Sequence, residues 1–138
     1  MNTAATVTLV VLMLILARWA AQFWLARLNQ RNVLAHAEAI PEAFNGIIDD
    51  ATYAKSVQYT LAKSRLGQIE MTYDAVILAI VLFSGLLPWG FGLLTGWLGT
   101  SAWAMAAFLF AMGLVLSLPG LPFEYYGQFR LEERFGFN

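Results

Sequence analysis

Polar and apolar positions divide this chain into blocks rather than into alternating faces. From Ala4 to Leu25 every residue is apolar or small except Thr6, Thr8, Arg18 and Gln22. From Ala75 to Phe123 no residue is charged. A helix needs about 20 apolar residues to cross a hydrocarbon core of roughly 30 Å. The first block fits one span. The second is too long for one and fits two joined by a tight hairpin, with turn residues at Gly96, Gly99, Thr100 and Ser101. The pattern therefore predicts three transmembrane helices, over about 4–25, 75–98 and 102–118. Pro88 interrupts the second, and Pro119, Gly120 and Pro122 are expected to end the third. Gly92 and Gly96 have the small-xxx-small spacing that lets helices approach closely.

Between the apolar blocks lies a polar stretch, 26–74. Asn32 suits the cap of a short helix over Val33–Ile40. Pro41 fits the first turn of another short element, which Asn45-Gly46 ends. Asp49 and Asp50 are N-cap candidates for a long helix. Its apolar stripe is expected at Ala54, Val57, Leu61, Leu66, Ile69 and Tyr73, with Lys55, Lys63 and Gln68 off it. No proline separates this helix from the next apolar block, so it should run unbroken and enter the membrane near Asp74.

Composition strengthens the membrane reading. The chain is 59% hydrophobic and 12% charged, against about 45–50% and 25% in ordinary soluble domains. So large an apolar excess cannot be hidden in 138 residues, because small domains have much surface for their volume. The expected fold class is all-α: an integral membrane protein of three transmembrane helices with a partly helical cytoplasmic loop. A cleaved secretory leader is the competing reading of the first block. Against it, residues 1–3 lack a basic side chain, and Arg18 and Trp19 stand where small cleavage-site residues belong.

Lysine and arginine give the orientation. The N-terminal tail and the 96–101 hairpin have none, whereas 26–74 carries Arg27, Arg31, Lys55, Lys63 and Arg65, and the end of the chain carries Arg130 and Arg134. By the positive-inside rule, the N-terminus lies outside, and the loop 26–74 and the exit 119–138 are cytoplasmic. Net charge is −1, so nothing suggests nucleic acid. The partner called for is the lipid bilayer.

Catalytic chemistry is sparse. There is no cysteine, and His36 is the one histidine. A zinc site would have to rest on carboxylates around a single imidazole, unlike the usual histidine- and cysteine-rich sites. His36-Ala37-Glu38 lacks the second imidazole of H-E-x-x-H. No serine has a histidine base at a known spacing. Glu124, Glu132 and Glu133 alternate with arginines, and Arg130 and Glu133 are placed to pair at i, i+3. Lys63-Ser64-Arg65 reads as a solvated helix face, with a phosphate or substrate patch as the sharper option. The expected catalytic, cofactor-binding and metal-binding residues of this chain are none.

Three segments nevertheless carry a resemblance. Arg31-Asn32-Val33 with Ala35-His36, Ile40-Pro41 and Phe44 forms the first. Tyr59-Thr60-x-x-Lys63-Ser64-Arg65-Leu66-Gly67 forms the second. Leu121-Pro122-Phe123-x-x-Tyr126 with Phe129, Glu132-Glu133 and Phe135-Gly136-Phe137-Asn138 forms the third and most specific. In this order around three spans they resemble the N-terminal membrane domain of the type I CAAX prenyl proteases, which are integral-membrane zinc metalloendopeptidases. The resemblance implies helices around an intramembrane chamber, with zinc held by a later H-E-x-x-H helix and a downstream glutamate. None of those residues is present here, so zinc is expected in the full-length family and no cofactor in this chain. The implied partners are the remaining membrane helices and protease domain of the same enzyme.

The expected function is thus the membrane-scaffold portion of such a peptidase, inactive alone. The alternative is a stand-alone three-helix assembly or regulatory protein. The expected location is the plasma (inner) membrane of a bacterium. Because the third segment resembles the family's approach to a fourth span, the chain is expected to be a piece of a longer enzyme.

Overall fold

A computed structural model describes residues 2–38, 40–44 and 46–136, with the side chain of Ala43 left out. Asn45 of the expected loop break, Ala39 of the expected short helix, and Phe137 and Asn138 of the third segment lie outside the described residues.

The first helix, α1 (Thr3–Ala35), is a single element of 33 residues. Neither glycine nor proline occurs before Pro41, and Arg27, Gln30 and Arg31 are good helix formers. At 1.5 Å per residue α1 is about 50 Å long, well beyond the thickness of a hydrocarbon core. The separate helix expected at Val33–Ile40 does not form. Asn32 instead lies inside α1, where its carbonyl accepts the His36 N–H at 3.3 Å. A short 3-10 turn, Glu42–Phe44, follows Pro41.

The long second helix, α2 (Asp50–Phe83), runs unbroken for 34 residues. Asp49 caps it as expected, accepting the Thr52 N–H on Oδ1 at 3.1 Å. That bond and the Thr52 hydroxyl hold the Asp49 carboxyl below its ordinary pKa.

The second apolar block, 75–98, is interrupted as expected, though not at Pro88. α2 stops at Phe83, and α3 (Leu86–Leu98) begins after Ser84 and Gly85. Gly85 adopts φ 83, a left-handed conformation that glycine takes without steric cost. The break precedes Pro88 rather than occurring at it. Pro88 sits in the first turn of α3, where a missing N–H is harmless. Gly96, expected in the hairpin, is inside α3. The turn itself falls at Gly99-Thr100, and the Ser101 hydroxyl accepts the Ala104 N–H at 3.3 Å to start α4 (Ala102–Ser117).

Pro119 and Pro122 do not end the third helix. The chain tightens into a 3-10 turn at Leu118–Gly120, resumes as α5 (Leu121–Tyr125), widens into a π-helix at Tyr126–Leu131, and closes with α6 (Glu132–Phe135). The tight turn accommodates the lost proline donors, because the Leu121 N–H bonds the Leu118 carbonyl. The π turn is sealed by the Glu132 N–H on the Gly127 carbonyl.

The fold is all-α. Three stretches, Thr3–Ala35, Asp50–Phe83 and Ala102–Phe135, are long and apolar enough to cross a membrane, and no strand occurs among the described residues. The chain divides into two compact units, Met1–Ala17 with Thr72–Leu121, and Arg18–Met71 with Pro122–Asn138. In the first, α3 packs on α4. Phe91 meets Phe108 edge-to-face at 5.5 Å, and Gly90 is buried beside Phe108 and Met112. The second unit holds the candidate site.

Candidate functional site

The second unit joins the resembling segments to residues beside them. The α1 and α2 portions are joined by a part-buried amide pair. Gln30 Nε2 donates to Gln68 Oε1 at 3.0 Å and lies 3.1 Å from Ser64 Oγ. Gln68 is buried, whereas the expected apolar stripe placed it outside. Ala54, Ile69 and Tyr73, assigned to that stripe, are exposed. Polar partners on α1 decide which face turns inward, and periodicity within α2 alone carries no record of them. The first segment is fixed at its far end by the Tyr53 hydroxyl, which donates to the His36 carbonyl at 2.7 Å.

Tyr59 links the second segment to the third. Its ring meets that of Phe135 at 5.6 Å in an edge contact. Lys63 Nζ lies 3.2 Å from the Tyr59 hydroxyl and 5.4 Å from the ring centre. Phe135 and Leu131 are both buried. The π-helix lies beside Leu66, whose Cδ2 would be 3.5 Å, an ordinary contact, from a β-carbon at Gly127. Gly136 ends α6 with φ 67, its N–H shared by the Glu132 and Glu133 carbonyls. Lys55 Nζ would lie 3.1 Å from a β-carbon at Gly136, so a cation sits against the electronegative end of α6.

Beside these contacts lies an open cleft of about 490 Å³. Its lining combines apolar Leu66, Phe123 and Leu131 with polar Lys63, Glu70, Glu124, Gln128 and Glu132. The π turn forms one wall, and such turns occur often at functional sites. Sequence reasoning singled out Lys63 and the glutamates but missed Gln30, Gln68 and the cleft. The expected Arg130–Glu133 ion pair does not form. A π turn advances more residues per revolution than an α turn, which carries the i+3 position away from the one that spacing assumes. The Lys63-Ser64-Arg65 face is also divided, since Lys63 is engaged by Tyr59 and Ser64 by Gln30.

The donor set does not fit a zinc ion. His36 is exposed, and its Nδ1 donates to the Asn32 carbonyl at 2.8 Å. Among the described residues no three of histidine, aspartate and glutamate are grouped to hold a metal. The cleft offers carboxylates, an ammonium and apolar side chains.

Comparison with known proteins gives the family. Residues 29–138 match the family described as CAAX prenyl protease N-terminal, five membrane helices. This chain belongs to that family. It is 27% identical to the CAAX prenyl protease 1 homolog of Homo sapiens over 133 residues, covering 90% of this chain and 28% of the relative. The Caenorhabditis elegans homolog is 24% identical over 129 residues, 91% of this chain and 28% of the relative. The probable CAAX prenyl protease 1 of Schizosaccharomyces pombe is 32% identical over 104 residues, 66% of this chain and 22% of the relative. The chain thus spans 22–28% of the length of these relatives. No solved structure matches it. With the family domain and three apolar helices of spanning length, it is a multi-pass membrane protein.

Proposed function

We propose that these residues form the membrane scaffold of a CAAX-protease-like zinc metalloendopeptidase whose metal ligands lie outside the 138 residues. The observation that carries this reading is the contact between two of the resembling segments, Tyr59 of the second against Phe135 of the third. Tyr53, just before the second segment, holds the His36 carbonyl of the first. The relatives, CAAX prenyl protease 1 homologs, supply the reaction class. In this role the chain positions the rest of the enzyme and performs no chemistry alone. Its partners are the bilayer and the remaining helices and protease domain of the same enzyme.

The chain purified in detergent with zinc is expected to cleave no prenylated peptide. Specific cleavage that a chelator abolishes would sink the proposal. Orientation belongs to the same reading: N-terminus outside, 26–74 and the C-terminal segment cytoplasmic. The first loop motif suggests a bacterial plasma membrane, and the endoplasmic reticulum fits the same topology; the relatives named above are eukaryotic. Cysteines at Thr3 and Thr100 should label from outside and one at Ser56 should not. The reverse pattern inverts the topology.

A further inference from the structure

The α3–α4 hairpin displays two tryptophans at matching positions. Trp97 and Trp103 stand three residues to either side of Thr100, and each is 86% exposed. The hairpin packs through other residues: Phe91 meets Phe108, and Gly90 is buried beside Phe108 and Met112. Among the described residues neither indole N–H has a hydrogen-bond partner. An indole is a large apolar plate with one polar N–H, and it favours the level where hydrocarbon meets lipid headgroups.

The charges of the chain place both rings at that level. Asp74 precedes Trp97 by 23 residues, Glu124 follows Trp103 by 21, and no charged residue lies between Asp74 and Glu124. At 1.5 Å per helical residue these legs measure about 35 and 32 Å, the first shortened by the break before α3. A hydrocarbon core is roughly 30 Å thick. Each indole therefore stands one core thickness from the nearest charge on its own leg. The turn between them agrees. Residues 96–103 are all exposed, and helix ends leave closing carbonyls and opening N–H groups outside the ladder. The Ser101 hydroxyl meets the Ala104 N–H at 3.3 Å. The remaining groups need water or headgroups, because hydrocarbon offers them no partner.

We propose that Trp97 and Trp103 form a paired anchor in the headgroup–hydrocarbon boundary of a phospholipid bilayer. Their N–H groups donate to lipid ester oxygens, and the Gly99-Thr100-Ser101 turn stands in water. A planar boundary imposes the match in level between two legs, whereas a neighbouring protein helix would not require it. The hairpin has no lysine, arginine, aspartate or glutamate to fix its depth, so the indoles set it. The inference needs the chain to cross the bilayer and does not use the scaffold role.

The full chain is reconstituted in phosphatidylcholine vesicles as three variants. Each keeps one tryptophan, Trp89, Trp97 or Trp103, with the other four replaced by phenylalanine. Trp89 is 66% exposed and lies eight residues before Trp97 in α3, about 12 Å deeper, so it serves as the depth control. Lipid brominated near its ester end should quench Trp97 and Trp103 at least about twofold more than lipid brominated near its methyl end. The two ratios should be equal, and Trp89 should show the reverse order. Different depths for the two indoles overturn the pair. Quenching of Trp89 but of neither Trp97 nor Trp103 assigns those two to protein or water; the anchor falls and the membrane span stands. Quenching of none of the three removes the bilayer from this unit, and the span falls with the anchor. A second measurement leaves the other tryptophans in place. Thr100→Cys, in a chain without native cysteine, reacts with a charged thiol reagent supplied on both faces of the vesicle. Adding Trp97→Leu and Trp103→Leu should let the turn sink and slow that reaction about tenfold, the factor for a thiol pKa raised by one unit in less polar surroundings. An unchanged rate overturns the anchor.

Discussion

The two units solve the burial problem in opposite ways. In the first, the buried residues are Val81, Gly90 and Ala104, and large side chains such as Trp97 and Trp103 are 86% exposed. In the second, the buried set includes Gln68 beside Leu131 and Phe135, held by an amide pair, an aromatic edge contact and a glycine cap. A bilayer accepts apolar side chains without protein cover, so the first unit has little need of specific side-chain contacts. What lipid does not accept is bare backbone. Specificity there moves to the main chain, to the Gly85 break, the Gly99 turn and the Ser101 cap. The second unit carries nearly all the charged residues of the chain, and its order comes from side chains that meet particular partners.

Substitutions separate these two regimes. The largest effect is expected for Phe135→Ala, which empties a buried site against Tyr59 and should cost about 3 kcal/mol. The matching change at Phe110, 70% exposed in the first unit, should stay within about 0.5 kcal/mol. Thermal unfolding of both variants in detergent, followed by circular dichroism, makes the comparison, and equal losses would remove the distinction between the units. Next comes Gln30→Ala, which withdraws the donor to Gln68 Oε1 and should cost about 1–3 kcal/mol. A double-mutant cycle with Ser64→Ala tests whether the three polar groups act together.

Gly136→Ala should cost about 1–2 kcal/mol, because φ 67 is a left-handed conformation that a β-carbon opposes. The close Lys55 ammonium adds to that strain. Gly127→Ala should be nearly silent, within about 0.5 kcal/mol, since the added carbon makes an ordinary contact with Leu66 at 3.5 Å. A large loss at Gly127 would mean that the π turn tolerates no side chain.

The smallest effect concerns pH. The Thr52 hydroxyl and N–H lower the Asp49 pKa in the folded chain, so the unfolded chain binds its proton first as pH falls. Stability from this cap is present above the unfolded pKa and is lost as pH drops through the folded one. Amide exchange at Thr52 and Tyr53 should quicken in acid below the ordinary carboxylate range. In Asp49→Asn that dependence should vanish, and its persistence would assign the acid effect elsewhere.

Block patterning was enough to determine the helical class, three helices of spanning length, the Asp49 cap and the hairpin near Gly99–Ser101, because each follows from local composition or from a residue's own chemistry. The ordered motifs likewise marked the family. Local reasoning failed where two neighbouring features competed. Pro88 drew attention away from Gly85, whose open φ range made the actual break. Pro119 and Pro122 looked like terminators, yet a tight turn and a wide turn carried the helix past both. The candidate site was less legible still. Lys63, Glu124 and Glu132 are visible as charges, but their shared cleft depends on distant residues meeting. Gln68 is buried because Gln30, far away in sequence, supplies its donor. No periodicity within one helix encodes that partner, and only the tertiary structure decides it.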